Sequence, residues 1–258
     1  MGSLNVRAVP GLPEVRIGED LAALIAEAAV RAGAPLADGE IVVVAHKVVS
    51  KAEGAVVALG DVEPGEQARE LAARFAAETG QPRDPRAVQV VLDQTREVVR
   101  AERGVLISRT HHGFVCANAG VDASNAAEDT LVLLPRDPDG SARRLRAGLA
   151  QSCGVEVAVL IADSFGRAWR HGQVDVAIGL AGLDPLQDWR GRHDARGMQL
   201  RATWLALADA LAALGELVRA KDSGEPVAVV AGLERLLTVE DGPGAAALLR
   251  PAEEDLFL

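Results

Sequence analysis

The sequence predicts an α+β fold, with mixed and antiparallel sheets carrying packed helices. Helix-period and strand-period stretches alternate along the chain, but without the strict strand–helix–strand repetition of a doubly wound sheet. The run 41–45 is apolar throughout and 155–162 is apolar but for Glu156, rather than alternating, the mark of strands buried on both faces. The runs 105–109 and 113–117 flank His111, His112 and Gly113 as the arms of a hairpin.

Taken in order, 5–9 reads as a short strand broken by Pro10, Gly11 and Pro13. Residues 19–31 read as a helix, because Leu21, Leu24, Ile25 and Ala28 share a face and Gly33 and Pro35 stop it. Residues 64–77 are helical, with Pro64 early and Gly80 beyond the end. The stretches 86–92 and 95–101 carry no decisive pattern, and 131–134 reads as a short strand. A helix is expected over 141–151, with Asp139 or Ser141 as N-cap. A strand follows at 174–180. The longest helix is expected at 200–218, where Thr203, Ala206, Ala210 and Ala213 offer a small face to another helix or a second subunit. A last strand at 226–230 precedes an acidic tail, and 137–140 and 242–244 read as turns. The length suits one domain over 1–258 or two intertwined subdomains.

Composition narrows the function. A net charge of −10 with no polybasic run argues against nucleic acid as a partner, since phosphate-backbone binding needs clustered Lys and Arg. It does not argue against a single nucleotide, which needs only a few local donors and a metal. No run approaches the roughly 20 apolar residues of a membrane span, and the N-terminus lacks a signal-peptide pattern. Cys116 and Cys153 make no disulfide framework, and free thiols suit a reducing compartment, so the expected location is the cytoplasm. Lys47, Lys51 and Lys221 are the only lysines, and two of them stand four residues apart.

Three segments carry candidate chemistry. In 120–125, Asp122 could ligate a hard divalent cation and Asn125 could bond a phosphate or base, although an Asx-turn would look the same. In 161–167, Asp163 ends the most hydrophobic strand, Ser164 adds a hydroxyl, and Arg167 and Arg170 offer phosphate forks; a capped turn with solvated arginines is the alternative. In 46–54, a lysine could balance nucleotide charge, or the segment is a solvated loop; it is no P-loop. The histidines lack zinc spacing, and neither cysteine has a sequence cue to a partner base. The polar loop 219–224 could lie over phosphates or simply join helix to strand.

Order and spacing are more specific than any single motif. GLPEVRIGEDL, IVVVAHKVVSKAEG, HHGFVCANAGVDASN, LLPRDPDGSARRLRAGL, IADSFGRAWRHGQVDVAIGLAGL, DWRGRHD and GPGAAALLRPAEEDLF follow one another across about 5–257. In that order they resemble the coenzyme F420:L-glutamate ligase family in its stand-alone form. The resemblance implies an α+β intertwined homodimer that uses GTP with Mg or Mn, and often potassium. It implies joining of L-glutamate to the carboxylate of the F420-0 deazaflavin precursor through an acyl phosphate, releasing GDP and phosphate, and then a further γ-linked glutamate. It implies nucleotide contacts from Leu12, Pro13, Glu14, Val15, His46, Lys51, Asn125 and the loop with Arg219, Lys221, Ser223 and Gly224. It implies metal ligation by Asp122, Asp163 and Ser164, with Asp122, Asp163 and Arg167 as the catalytic set. Departures are also visible. His46 stands where some members carry a small hydroxyl. Gln199, Trp204 and Ala210 stand at acidic positions expected in the long helix, and Ala231 at a frequent arginine. Lys221 replaces an acidic metal ligand of archaeal-type members, which leaves a second metal site open. A metal-dependent nucleotide phosphohydrolase or regulator on the same scaffold is the competing reading, and the same chemistry on another acid is a third.

Overall fold

The computed structural model describes residues 3–255; Leu256 and Phe257 of the last matched segment lie outside them. In chain order the described elements are β1 (Asn5–Ala8), α1 (Leu21–Arg31), β2 (Ile41–Ala45), α2 (His46–Ala52), β3 (Val56–Ala58), α3 (Glu66–Thr79), α4 (Pro85–Asp93), β4 (Thr95–Glu102), β5 (Val105–Thr110), β6 (Val115–Ala117), β7 (Thr130–Val132), α5 (Pro138–Cys153), β8 (Ala158–Arg167), β9 (Arg170–Ala181), β10 (Leu186–Asp188), β11 (Trp204–Ala206), α6 (Leu207–Glu216) and β12 (Val227–Ala231). The α+β class expected from the sequence is the class observed.

The main sheet runs β1-β12-β2-β8-β9. Only β2 and β8 pair in parallel, in register from Ile41 opposite Ala158 to Ala45 opposite Ala162. The other neighbours are antiparallel. The apolar runs now have their reason. Val42, Val44, Val159 and Ile161 face a layer with Ile25 of α1 and Leu149 of α5. Ile41, Val43 and Leu160 face the opposite layer with Ala208, Leu211 and Ala212 of α6. Helices on both faces leave no strand position wet. The close packing of α5 depends on Gly179 of β9. A Cβ there would stand 2.3 Å from the Pro138 carbonyl oxygen, so no larger residue fits without moving the helix.

Between α2 and α5 the chain leaves this sheet. It builds a smaller layer in which Phe75 of α3 and Val88 and Val91 of α4 pack with Leu106 of β5. There β4, β5 and β6 form an antiparallel meander, and the expected hairpin around His111 to Gly113 is present as β5–β6.

Several expected elements are redrawn. The segment 46–52 is not a loop but helix α2, because His46, Val49 and Ser50 turn into the core. The strand expected at 155–162 runs on through Asp163 and Ser164 to Arg167, since β9 continues to pair with it. The expected 200–218 helix contracts to Leu207–Glu216, and the longest helix is α5 with sixteen residues. The 137–140 turn is the start of α5, with the Asp137 side chain accepting from Gly140 N. The face expected to pack, Thr203, Ala206, Ala210 and Ala213, is not the buried one: Thr203 and Ala206 precede α6 and Ala210 is exposed, while Ala208, Leu211, Ala212 and Gly215 turn inward against the sheet. Residues 85–93 are helical and 95–102 extended. Among the described residues no helix is long and apolar enough to cross a membrane.

Candidate active site

The parallel pairing of β2 and β8 puts their carboxyl ends on one rim, and the directions of β12 and β1 bring the exit of β1 and the entry of β12 to the same rim. Ligand crevices in sheets with helices on both faces form outside strand carboxyl ends. A cleft of about 530 Å³ opens there, within the range of small-molecule sites. Leu12, Pro13, Glu14 and Val15 line it after β1, Ala45 to Val48 and Lys51 after β2, and Asp163 and Ser164 from β8. Asp122, Ser124 and Asn125 reach it from the loop before β7, and Glu216, Arg219, Ala220, Lys221, Gly224 and Glu225 from α6 and its exit loop. Segments remote in sequence therefore meet, including Asp122 and Asp163.

All three lysines of the chain point into this cleft, each onto an oxygen. Lys47 Nζ stands 2.6 Å from Asp122 Oδ2 and also bonds Ser124 Oγ. Lys51 pairs with Glu14, and Lys221 bonds Ser164 Oγ. Lys47 and Lys51 share a face of α2 because they are one helical turn apart. Asp122 is further held by Ser124, through its backbone N at 2.7 Å and its hydroxyl at 2.9 Å. Burial raises the Asp122 carboxyl, but the hydrogen bonds from Lys47 and Ser124 outweigh it and hold it below the usual carboxylate range.

A second group lies deeper. Asp175 of β9 is 6% exposed and accepts from Arg219 Nη2 at 2.7 Å and from Ser164 Oγ at 2.5 Å. Arg219 also donates to the carbonyls of Gly215 and Pro226, so its donors are spent inside the protein rather than toward a ligand. Burial pulls the Arg219 guanidinium below its usual value, opposed by Asp175 and Glu216. Glu216 Oε2 accepts from Asp175 N at 2.9 Å. Sequence reasoning missed Asp175 and Glu216. An acid inside the apolar run 174–180 was the available signal, because a buried carboxylate demands a partner. The departures noted in the long helix also change meaning. Gln199 and Trp204 are not in α6 at all, while Asp209 and Glu216 of α6 turn their carboxylates to β9.

Two other expected residues, Arg167 and Ser223, sit outside the cleft lining, while His46 lines it from a buried position. Arg167 is exposed near the tip of the β8–β9 hairpin, donates to the His171 carbonyl at 2.9 Å, and does not line the cleft. Ser223 shapes the exit loop, donating to Ala220 O and accepting from Glu225 N. His46 is 2% exposed with Nδ1 3.4 Å from Ser50 Oγ. Its Nε2 lies 3.3 Å from Asp163 Oδ1 without an aligned hydrogen bond. Burial, then the Asp163 carboxylate, push the Cys116 thiol up to about 12, so it stays protonated and is no nucleophile.

Among the described residues no three His, Cys, Asp or Glu side chains form a ready metal cage. Magnesium-type ions are generally held by one or two carboxylates completed by substrate phosphates and water. Asp122, Asp163 and the Ser164 hydroxyl supply the hard oxygen donors such an ion requires, so the donor set fits. The charge balance points the same way. Leaving His46 aside, six carboxylates and four cationic side chains line the cleft, an excess of two negative charges. A polyphosphate entering it needs additional positive charge.

A family model described as F420-0:gamma-glutamyl ligase matches residues 11–232. The chain belongs to that family. The matched span contains every residue that lines the cleft. Among curated relatives, the coenzyme F420:L-glutamate ligase of Methanothermobacter thermautotrophicus is 42% identical over 98% of each chain. That of Methanopyrus kandleri is 44% identical over 99% of this chain and 98% of its own. That of Halobacterium salinarum is 45% identical over 98% of this chain and 94% of its own. The span matched by the family model thus covers the main sheet from β2 onward, the smaller layer and the cleft, with β1 just before it.

Proposed function

We propose that the protein is a GTP-dependent ligase that adds L-glutamate to the carboxylate of the F420-0 deazaflavin precursor, and then joins the amine of a further glutamate to the γ-carboxylate of the first. Family membership across 11–232 carries this reading, because the matched span encloses a cleft gathering Asp122, Asp163 and all three lysines. A free carboxylate is a poor electrophile. Transfer of the terminal phosphoryl group of GTP to it gives an acyl phosphate, and the glutamate amine then displaces phosphate. Little covalent chemistry falls to the protein, whose task is positioning and charge stabilisation.

In this reading the segment Leu12 to Val15 walls the nucleotide, with Asn125 bonding it. Lys47, Lys51 and Lys221 offset phosphate charge. Asp122, Asp163 and Ser164 hold a divalent cation, Mg or Mn, which supplies charge neutralisation and orientation of the phosphates. Arg219 fixes Asp175 and thereby Ser164. The test is GDP release together with product mass after incubation with precursor, GTP and glutamate. GDP release that requires both acceptor and glutamate, with a glutamylated product, is expected. GDP release without the amine would favour a phosphohydrolase, and binding without turnover a regulator.

We also infer an intertwined homodimer in the cytoplasm. The β10–β11 arm supports the dimer, since it carries Met198 at 72% and Leu205 at 45% exposure between and within its strands. A monomer's mass in sedimentation at micromolar concentration would remove the dimer from the proposal.

A further inference from the structure

The chain uses arginine almost everywhere for positive charge, yet each of its three lysines lies in the cleft. The two side chains differ physically. A guanidinium locks onto a carboxylate with a rigid fork, whereas an ammonium on a flexible stem is a point charge that changes partners readily. Lys47 differs from Lys51 on the same helix in its partners, since it holds both Asp122 and Ser124 where Lys51 holds Glu14. It rises from a helix anchored by buried His46, Val49 and Ser50, and its side chain is 19% exposed.

Its partner has little capacity left. Asp122 Oδ1 accepts the Ser124 backbone N–H, and Oδ2 accepts both the Ser124 hydroxyl and the Lys47 ammonium. A divalent cation on Asp122 would compete for the oxygen that Lys47 holds, and two cations on one oxygen repel strongly.

We propose that Lys47 is a resident counter-ion of Asp122, displaced when a divalent cation binds and then free to pair with the nucleotide's phosphates. The proposal rests on the reading of Asp122 as a cation ligand. Its consequence is coupling. A phosphate that takes the ammonium frees the carboxylate for the cation, and a cation on the carboxylate releases the ammonium for phosphate. By linkage, each ligand then tightens the other by the same factor. The cleft resists a bare cation and accepts cation and polyphosphate together.

The test is Mn2+ binding, followed by electron paramagnetic resonance, to the wild-type protein, Lys47→Met and Lys47→Arg. Each is measured with and without Asp122→Asn, in the absence of nucleotide and with a non-hydrolysable GTP analogue. Without nucleotide, Lys47→Met should bind Mn2+ about fivefold more tightly than wild type, the factor expected for removing one partly exposed ion pair. Lys47→Arg, which keeps the charge and grips better, should bind no more tightly than wild type. With the GTP analogue the advantage of Lys47→Met should vanish or reverse. Circular dichroism establishes that each variant is folded. Equal nucleotide-free affinities for wild type and Lys47→Met, or binding undetectable in both, overturns the counter-ion proposal. If Asp122→Asn still weakens Mn2+ binding in that case, the cation reading survives alone. If Asp122→Asn changes nothing in either background, the cation lies elsewhere and both fall.

Discussion

Asp163→Asn is expected to lower turnover by about 10²–10³-fold, the scale at which loss of one preorganised charge-stabilising group is felt in an active site. The fold should survive. Asp163 is held in β8 by main-chain pairing to Val176 of β9, and its Oδ1 accepts from Ser164 N at 2.8 Å. Asparagine keeps that acceptor and loses only the negative charge. Asp122→Asn should act in the same direction from the loop before β7. The check is steady-state GDP release with precursor and glutamate, beside a thermal melt of each variant. Near-wild-type rates in either variant would defeat its assignment as a cation ligand.

Arg219→Ala is expected to destabilise the protein by about 3–5 kcal/mol, the cost of leaving one member of a buried ion pair without its partner. The side chains of Arg219 and Asp175 are 6% and 8% exposed, and the arginine also satisfies two backbone carbonyls. The prediction separates two roles. A phosphate-binding arginine would cost nucleotide affinity and little stability when removed. An arginine spent on Asp175 costs stability first. Denaturant unfolding measures the difference, and a loss below about 1 kcal/mol would fit only a weak, solvated pair. Adding Asp175→Asn to Arg219→Ala should recover part of the loss, since the stranded charge is then gone.

What could be read from the sequence follows burial. The strand Ile41–Ala45 and the helix Leu21–Arg31 were legible because one is covered on both faces and the other on a single stripe, and each leaves its period in the residue pattern. The outer half of β8 was not. Asp163, Ser164 and Gly166 look like a loop, yet backbone pairing to β9 extends the strand whatever its side chains. Helix α2 was hidden likewise, since His46 and Ser50 are polar residues occupying buried positions. At the site, the family resemblance singles out Asp122 and Asn125, since by themselves they read equally as an Asx-turn, and Asp122 does accept the Ser124 backbone N–H. Asp175 and Glu216 sit in an ordinary strand and an ordinary helix, and only tertiary packing gives them to the cleft. Arg219 shows the converse. Its place in a polar loop suggested a ligand contact, while burial committed it to the protein.

The strand ends that meet on one rim come from nearly the whole length of the chain, from Leu12 to Pro226. A molecule seated there touches five remote stretches at once and so fastens the main sheet across its width. Because it can bind only when those stretches are assembled, its binding energy adds to the stability of the folded chain, by about 2.7 kcal/mol at a hundredfold excess over Kd. If the nucleotide of the proposed function is that molecule, it acts as a removable crosslink.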